Sequence, residues 1–218
     1  MSTGADRRSL VARRLPVYLI IDHSASTTGA PLVSINGGVH SLREHLGPST
    51  VCHLVYVGLI SFAGTVSTTV LTPVDQFAPA RLEVAHGCNL GAALERLRSA
   101  LERDLIHAQG AHLGDHTPMV IVMLGGSPTD SWQSTGAWLH QEIAAKHVNV
   151  IGVALNRDAV DVLRGVCSTV LCFMGNHGAD VTSFFRWLST AIEEMARMAA
   201  DGATSAHLPP LPRRIVPC

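Results

Sequence analysis

The chain contains 218 residues, of which 47% are hydrophobic and 15% are charged, a composition that excludes a disordered protein and favours one globular domain with a full core. Its 16 basic and 17 acidic residues give a net charge of -1. No overall field therefore attracts the protein to nucleic acid or to an anionic membrane, and neither is expected as a partner.

Short apolar runs alternate with amphipathic segments, which predicts an α/β fold with helices on both faces of a doubly wound, mostly parallel sheet. Nearly continuous hydrophobic runs are typical of buried parallel strands. The second and third runs are joined by Phe62-Ala63-Gly64, which predicts a hairpin and one antiparallel edge strand. We predict a six-stranded sheet with strands at about residues 16–22, 51–61, 65–71, 118–124, 147–154 and 168–174.

Between these runs the hydrophobic residues recur with the period of a helix. The clearest stripes are Leu32, Ile35, Val39, Leu42 and Leu46, then Leu90, Leu94, Leu97, Leu101 and Leu105, and finally Phe184, Leu188, Ala191, Met195 and Met198. Asn89 is the predicted N-cap of the second helix. The pair Gly37-Gly38 interrupts the first stripe, and neither this pair nor Gly125-Gly126 fits a phosphate-binding loop, so no nucleotide is expected.

The two ends differ in composition from the centre. Residues 1–13 are predicted to be a flexible arm, residues 14–200 the folded domain, and residues 201–218 a Pro-rich C-terminal tail. We expect a flexible or extended, solvated tail, with a peptide ligand for another domain as the alternative. No signal peptide or membrane span is recognised.

The cysteines indicate the compartment. Their number is odd and they are scattered, mostly in apolar runs where a reduced thiol packs as a small hydrophobe: Cys52, Cys88, Cys167, Cys172 and Cys218. We therefore expect reduced thiols and a cytoplasmic protein.

The first strand ends in an Asp-x-Ser-x-Ser turn formed by Asp22, Ser24 and Ser26. Ligands of open parallel sheets bind at the carboxyl ends of the strands. One carboxylate and two hydroxyls directed at a common point are suitable ligands for a hard divalent cation. The same residue types also occur in turns that only cap a helix.

The chain resembles a known family at this point. Residues 14–22 with the Asp-x-Ser-x-Ser turn, together with residues 90–94, 127–132 and 181–189, are similar to the TerY-type von Willebrand factor A (vWA) proteins of tellurium-resistance gene clusters. The resemblance covers roughly residues 13–195. It implies a Rossmann-like vWA fold and a metal-ion-dependent adhesion site (MIDAS) that presents Mg²⁺ to an acidic group on a partner.

The implied adhesion site is degenerate in this chain. Asp22, Ser24 and Ser26 match its first element, but Cys88 stands where the family has a threonine and Gly125 where it has an aspartate. A thiol is a soft ligand for a hard ion, and loss of a carboxylate removes charge that balances the cation. We therefore expect weakened or lost Mg²⁺ binding at a site formed by Asp22, Ser24, Ser26 and Cys88.

Asp130 lies five residues beyond the position of the missing aspartate and is predicted to be the N-cap of the helix that follows it. The altered loops also contain His23 and His86. With Asp22 and Cys88 these imidazoles form an alternative set for Zn²⁺. A hydrolase with Ser24 or Cys88 as nucleophile and His86 as base is a third possibility, without any recognised catalytic motif.

The sequence thus predicts a non-enzymatic adaptor of a bacterial stress-response or signalling system, whose partner is a protein such as a kinase or phosphatase of the same gene cluster. The predicted partner-binding residues are His23, His86, Gly125, Ser127 and Asp130. A metal-independent scaffold that binds through an edge strand or the C-terminal tail is the alternative.

Overall fold

The computed structural model describes residues 13–109, 113–174, 177–201 and 208–218. These residues form eight strands, β1 (Leu15–Asp22), β2 (Val55–Phe62), β3 (Val66–Thr68), β4 (Thr72–Pro73), β5 (Met119–Leu124), β6 (Asn149–Ala154), β7 (Thr169–Phe173) and β8 (Ile215–Pro217). The same described residues contain five α-helices, α1 (Ala30–Leu46), α2 (Leu90–Asp104), α3 (Gln133–Ala144), α4 (Asp158–Arg164) and α5 (His177–Ala200).

The strands form one mixed sheet in the order β3-β2-β1-β5-β6-β7-β8, and β4 also pairs with β2. The five long strands β1, β2, β5, β6 and β7 are parallel to one another. The short strands β3, β4 and β8 run antiparallel to their neighbours. The chain leaves β1 towards β2 on one side, and β5 continues the sheet on the other side. The carboxyl ends of β1 and β5 therefore border a topological switch point, where ligands of such sheets bind.

Both faces of the sheet are buried, because successive side chains of a strand point to opposite faces. In β1, Val17 and Leu19 join the core layer that contains α1 and α5. Tyr18 and Ile20 join the layer that contains α2, α3 and α4. All eight residues of β1 are buried, as expected of a central parallel strand. This double burial holds the end of β1, and with it Asp22, in place.

The predicted α/β class, the mostly parallel order and the helices on both faces are confirmed. Two short antiparallel strands, β4 and β8, raise the number of strands above the six that we predicted. Short strands at the sheet margin lack the long apolar run that identifies central strands, so the pattern did not reveal them. Gly37 and Gly38 do not interrupt α1, which continues through both positions.

Residues 208–218 are extended and largely exposed, which agrees with the extended form of the predicted tail, but the expectation of a free end is wrong for β8. β8 extends the sheet at the β7 edge, Ile215 is buried, and a Cys172–Cys218 disulfide joins the two strands. The expectation of reduced cysteines is therefore also wrong for this pair, whereas Cys52, Cys88 and Cys167 are free thiols. The residues at 202–207 lie outside the described part of the chain.

Residues 1–12 of the predicted N-terminal arm lie outside the described residues. Arg13, which we assigned to the arm, is anchored, since its guanidinium donates to the carbonyls of Gly114 and Asp115. Arg14 forms an ion pair with the Asp115 carboxylate at 2.6 Å. Arg13 therefore belongs to the folded unit. Among the described helices, none combines the length and the apolar character that a membrane crossing requires.

Candidate functional site

Three segments of the chain meet at the carboxyl end of the sheet. The loop after β1 carries Asp22, Ser24 and Ser26, the segment before α2 carries Cys88, and the loop after β5 carries Gly125. Cys88 Sγ and the Gly125 N–H both contact the Asp22 carboxylate. The structure therefore brings together the turn and the two altered positions that the sequence analysis placed at one rim.

Asp22 is completely buried at the centre of this cluster. Its Oδ1 accepts a hydrogen bond from the Ser24 backbone N–H at 2.7 Å, and its Oδ2 accepts one from the Gly125 N–H at 2.9 Å. The Ser26 hydroxyl approaches Oδ2 at 3.4 Å and the Cys88 thiol at 3.8 Å. Donors of the protein itself thus surround both carboxylate oxygens, as a buried carboxylate requires.

The two serines of the turn are bonded to each other, with 2.8 Å between Ser24 Oγ and Ser26 Oγ. Ser24 is buried and Ser26 is exposed. The Asn156 amide donates to the Ser26 carbonyl at 3.1 Å and to the Gly125 carbonyl at 2.6 Å. Asn156 follows β6, so this side chain joins the loops that follow β1 and β5 and fixes their separation.

Cys88 is a buried, protonated thiol. Burial, followed by the nearby carboxylates of Asp22 and Asp130, raises the pKa of the Cys88 thiol to about 12. A thiol that keeps its proton near neutral pH donates towards Asp22 and is a poor nucleophile and a poor metal ligand.

Gly125 is closely surrounded. A Cβ atom placed on Gly125 would lie 2.6 Å from Thr27 Cγ2, 2.7 Å from Ser26 Oγ and 3.3 Å from Asp22 Oδ2. Thr27 is completely buried and its hydroxyl is bonded to the Ser24 carbonyl, so it has little freedom to move. The loop has therefore closed on the position where the resemblance implies an aspartate.

Asp130 does not cap the helix that follows it, and this prediction is wrong. Its Oδ1 accepts from the Gly91 N–H at 3.0 Å and its Oδ2 from the Ala92 N–H at 2.9 Å, so it caps α2. Asn89 precedes α2 but makes no side-chain cap. Its amide instead donates to the Gly64 carbonyl, and its oxygen accepts from the Thr129 hydroxyl. The cap comes from a distant part of the chain, which local sequence cannot reveal.

The two histidines do not complete a metal site. The His23 ring donates from Nδ1 to the Glu83 carbonyl at 2.6 Å, because a carbonyl oxygen only accepts. His86 is exposed, and its backbone carbonyl accepts from the Gly64 N–H. Within the described parts of the chain, no three His, Cys, Asp or Glu side chains form a metal-binding group.

The residues present do not fit a hard divalent cation either. Such an ion needs about six oxygen ligands and negative charge to balance it. Asp22 is the only carboxylate whose oxygens lie among the turn hydroxyls in the described residues, and backbone N–H groups already occupy both of its oxygens. Asp130 is bonded to α2, and Cys88 offers a soft sulfur where a hard ion prefers oxygen.

The geometry also gives no support to the hydrolase alternative. No hydrogen bond joins the His86 ring to Ser24 or Cys88, all of which lie in the described residues, and a nucleophile requires a base within hydrogen-bond reach. The Ser24 hydroxyl is instead bonded to Ser26.

Sequence reasoning missed two residues of this site. Asn156 joins two loops, and Thr129 accepts from the Cys88 N–H at 2.9 Å and donates to Asn89. Asn156 directly follows a predicted apolar strand, so the rule that placed Asp22 at the rim would have placed it there too. Ser127, a predicted contact residue, is exposed on the same loop as Gly125.

Solved structures similar to this chain come from surface and matrix proteins. The mussel byssus proximal thread matrix protein 1 (PTMP1) has a TM-score of 0.58 and 17% identity over 81% of this chain and 47% of its own. The same protein with a zinc-occupied MIDAS motif has a TM-score of 0.55 and 16% identity over 83% of this chain and 48% of its own. The pilus adhesin SpaC from Lactobacillus rhamnosus GG has a TM-score of 0.64 and 12% identity over 85% of this chain and 31% of its own.

At these identities the likeness shows the fold alone, and the fold is that of a vWA domain, as predicted. The chain spans about half the length of the first of these proteins, 48%. No family model matches the sequence, and no curated protein sequence matches it.

Proposed function

We propose that this protein is a non-enzymatic interaction module that binds a partner protein through the carboxyl-end loops of its sheet, without a metal ion. The proposal rests on the hydrogen bonds of the buried Asp22 carboxylate. Both of its oxygens accept backbone N–H hydrogen bonds from the protein itself, one from its own loop and one from Gly125. This network fixes the loops in one arrangement, and a preorganised surface loses less entropy on binding.

The surface that these loops present is mostly polar. Its exposed members, which we name the loop surface, are Ala25, Ser26, Thr28, His86, Ser127 and Thr129. Hydroxyl groups both donate and accept hydrogen bonds. The loop surface therefore suits a partner recognised by hydrogen bonds and shape, and differs from a site that captures an acidic group through a cation.

The resemblance to TerY-type proteins extends this proposal to a context. We infer a cytoplasmic module of a bacterial stress-response or signalling system of tellurium-resistance type. Its partner would be a protein kinase or phosphatase of the same gene cluster. These details rest on the resemblance of the motif segments.

A second candidate surface is the free edge of the sheet at β3. Ser67 and Thr68 are exposed there, and Val70, just beyond the strand, is 72% exposed. An exposed edge strand can pair with an extended segment of another protein. This edge is the alternative to the loop surface.

A crosslinking experiment with three matched positions separates these surfaces. A photoreactive amino acid replaces one exposed serine at a time: Ser127 on the loop surface, Ser67 on the β3 edge, or Ser99 on α2 as the control. Each variant is mixed with the purified kinase or phosphatase and irradiated in Mg²⁺ and in EDTA. We expect a crosslink from Ser127 alone, equal in both buffers.

Each result decides between the candidates. A crosslink from Ser67 alone would assign binding to the edge strand. Crosslinks from Ser99 alone, or from no position, would refute the module's proposed contacts with these partners. A Ser127 crosslink that EDTA abolishes would keep the loop surface but refute metal independence.

A further inference from the structure

The far edge of the sheet is covered by the chain's own C-terminal segment. β8 pairs with β7 in antiparallel register, with Cys172 opposite Val216 and Phe173 opposite Ile215. Two further backbone bonds continue this ladder, from the Met174 N–H to the Arg214 carbonyl and from the Cys218 N–H to the Val170 carbonyl. β7 would be an edge strand without β8, since its other neighbour is β6.

We name this segment the strap (residues 208–218); besides its ladder with β7, it packs Leu211 and Ile215 against the core layer of α1 and α5. Ile215 is buried, with 3% exposure, in the core layer of α1 and α5. The Trp187 indole donates to the Pro209 carbonyl at 2.9 Å. A three-residue strand with one buried apolar side chain is marginal on its own. The Cys172–Cys218 disulfide adds a covalent tie between positions 46 apart in the sequence.

The strap also covers a buried charge. Asp180 in the first turn of α5 is 2% exposed, and its Oδ1 lies 3.4 Å from Arg214 Nε. Asp180 Oδ2 has no hydrogen-bond partner among the described residues. Burying a carboxylate oxygen without a hydrogen bond costs free energy, and the contact with Arg214 offsets only part of this cost. The strap site therefore accepts a basic residue followed by a branched apolar residue in an extended strand.

We propose that the strap is a releasable cover: reduction of Cys172–Cys218 frees β8 from β7 and opens a docking edge for an extended segment with this basic-apolar chemistry. The reductant is a dithiol. Its two thiols reduce the disulfide to the Cys172 and Cys218 thiols, and it closes to a cyclic disulfide, so two electrons and two protons move to the protein. Main-chain pairing with β7 then provides affinity and the Asp180 and Ile215 sites provide selectivity.

The proposal does not depend on the loop surface, because the strap lies at the sheet edge and uses none of its residues. Release of the strap should leave the rest of the sheet intact. β7 keeps its pairing with β6, and the central strands β1 and β5 do not contact the strap ladder.

Hydrogen exchange of the full chain tests this proposal. Exchange is followed by mass spectrometry in segments 170–174 and 213–218, and in β1 and β5 as internal references, before and after treatment with dithiothreitol. We expect reduction to accelerate exchange at least tenfold in segments 170–174 and 213–218 and to leave the references unchanged. Cys218→Ser should exchange rapidly without reductant, whereas Cys52→Ser, which keeps the disulfide, should behave as the unmodified chain.

Thiol counting and reoxidation complete the test. The oxidised protein should present three free thiols after denaturation and five after reduction, and reoxidation should restore slow exchange. Five free thiols before reduction, unchanged exchange after reduction, or acceleration that is equal in β1 and β5 would each overturn the proposal. If Cys218→Ser fails to fold, the reduced unmodified chain supplies the same comparison.

Discussion

Gly125 donates its backbone N–H to Asp22 Oδ2 at 2.9 Å, across 103 positions of the sequence. This bond takes the place of the charge that a cation would supply, because it stabilises a buried carboxylate with a fixed dipole. The close approach is possible only because residue 125 has no side chain, since a Cβ would come within 2.7 Å of Ser26 Oγ. The absence of a side chain at residue 125 and the close packing of this loop on Asp22 therefore depend on each other.

Gly125→Asp will not restore a metal site. The new side chain has no room between Thr27 and Ser26, so we expect overpacking to lower the free energy of unfolding by about 1–3 kcal/mol. The melting temperature should fall and should not respond to Mg²⁺ or EDTA, whereas a native-state ligand would raise it. Gly125→Ala, which adds the Cβ alone, is the size control and should account for most of the loss. Recovery of stability on adding Mg²⁺ would contradict the closed loop.

Asp130→Ala should destabilise α2. The substitution leaves the Gly91 and Ala92 N–H groups without their acceptor, and loss of a helix cap costs about 0.5–2 kcal/mol. Urea unfolding should show a lower midpoint with an unchanged slope. Asp75→Ala is the control, because Asp75 is exposed and caps no helix, and it should stay within about 0.5 kcal/mol of the unmodified protein. Equal stability of both variants would show that the Asp130 cap does not stabilise α2.

Replacement by alanine should have opposite effects on stability at the two neighbouring glycines of α1. A Cβ on Gly37 meets nothing within 4 Å, so Gly37→Ala should stabilise the helix by about 0.5–1 kcal/mol. A Cβ on Gly38 would collide with the Phe185 ring of α5, so Gly38→Ala should destabilise the protein by about 1–3 kcal/mol. Thermal unfolding of the two variants side by side measures the difference. If both changes stabilise, α1 and α5 do not pack as described.

The Cys88 thiol should make the fold sensitive to alkali. Its pKa is raised from the ordinary value of 9.0 to about 12, so the folded state holds the proton more tightly than the unfolded state. The resulting stability is fully present below pH 9 and is lost as the pH rises towards 12. Cys88→Ser removes this group, and its stability should fall less over that interval. Burial also raises the pKa of Cys167, but that contribution is common to both proteins and cancels in the comparison. Parallel pH profiles would exclude a buried, protonated Cys88.

The architecture could be predicted from sequence because it depends on long apolar runs. β1, β5, β6 and β7 are each recognisable in the sequence as a nearly continuous apolar run, and α1, α2 and α5 by the helical period of their hydrophobic stripes. β8 was not predicted because a three-residue strand that ends in a proline carries no periodic signal. Its pairing follows from the geometry of the β7 edge and from a disulfide, and neither is encoded locally.

The candidate site was predictable in its location but not in its bonding. The position of Asp22 after the first strand, and of Gly125 after β5, was enough to place both at one rim. The hydrogen-bond partner of each side chain was not predictable, because the partners are distant in the sequence. Asp130 bonds to α2 residues 38 and 39 positions earlier in the chain. Asn156 bonds to loop residues 31 and 130 positions away. Such pairings depend on tertiary distance, which a single sequence does not contain.

The cap that Asp130 supplies to α2 has a practical consequence for detecting occupancy. The loop that carries Asp130 also carries Ser127 and Thr129. A molecule that binds to this loop and shifts it must therefore change the hydrogen bonds that the Gly91 and Ala92 amides donate to Asp130. These two amide resonances are therefore an intrinsic reporter. Their chemical shifts would register engagement of the loops without any label attached to the contact itself.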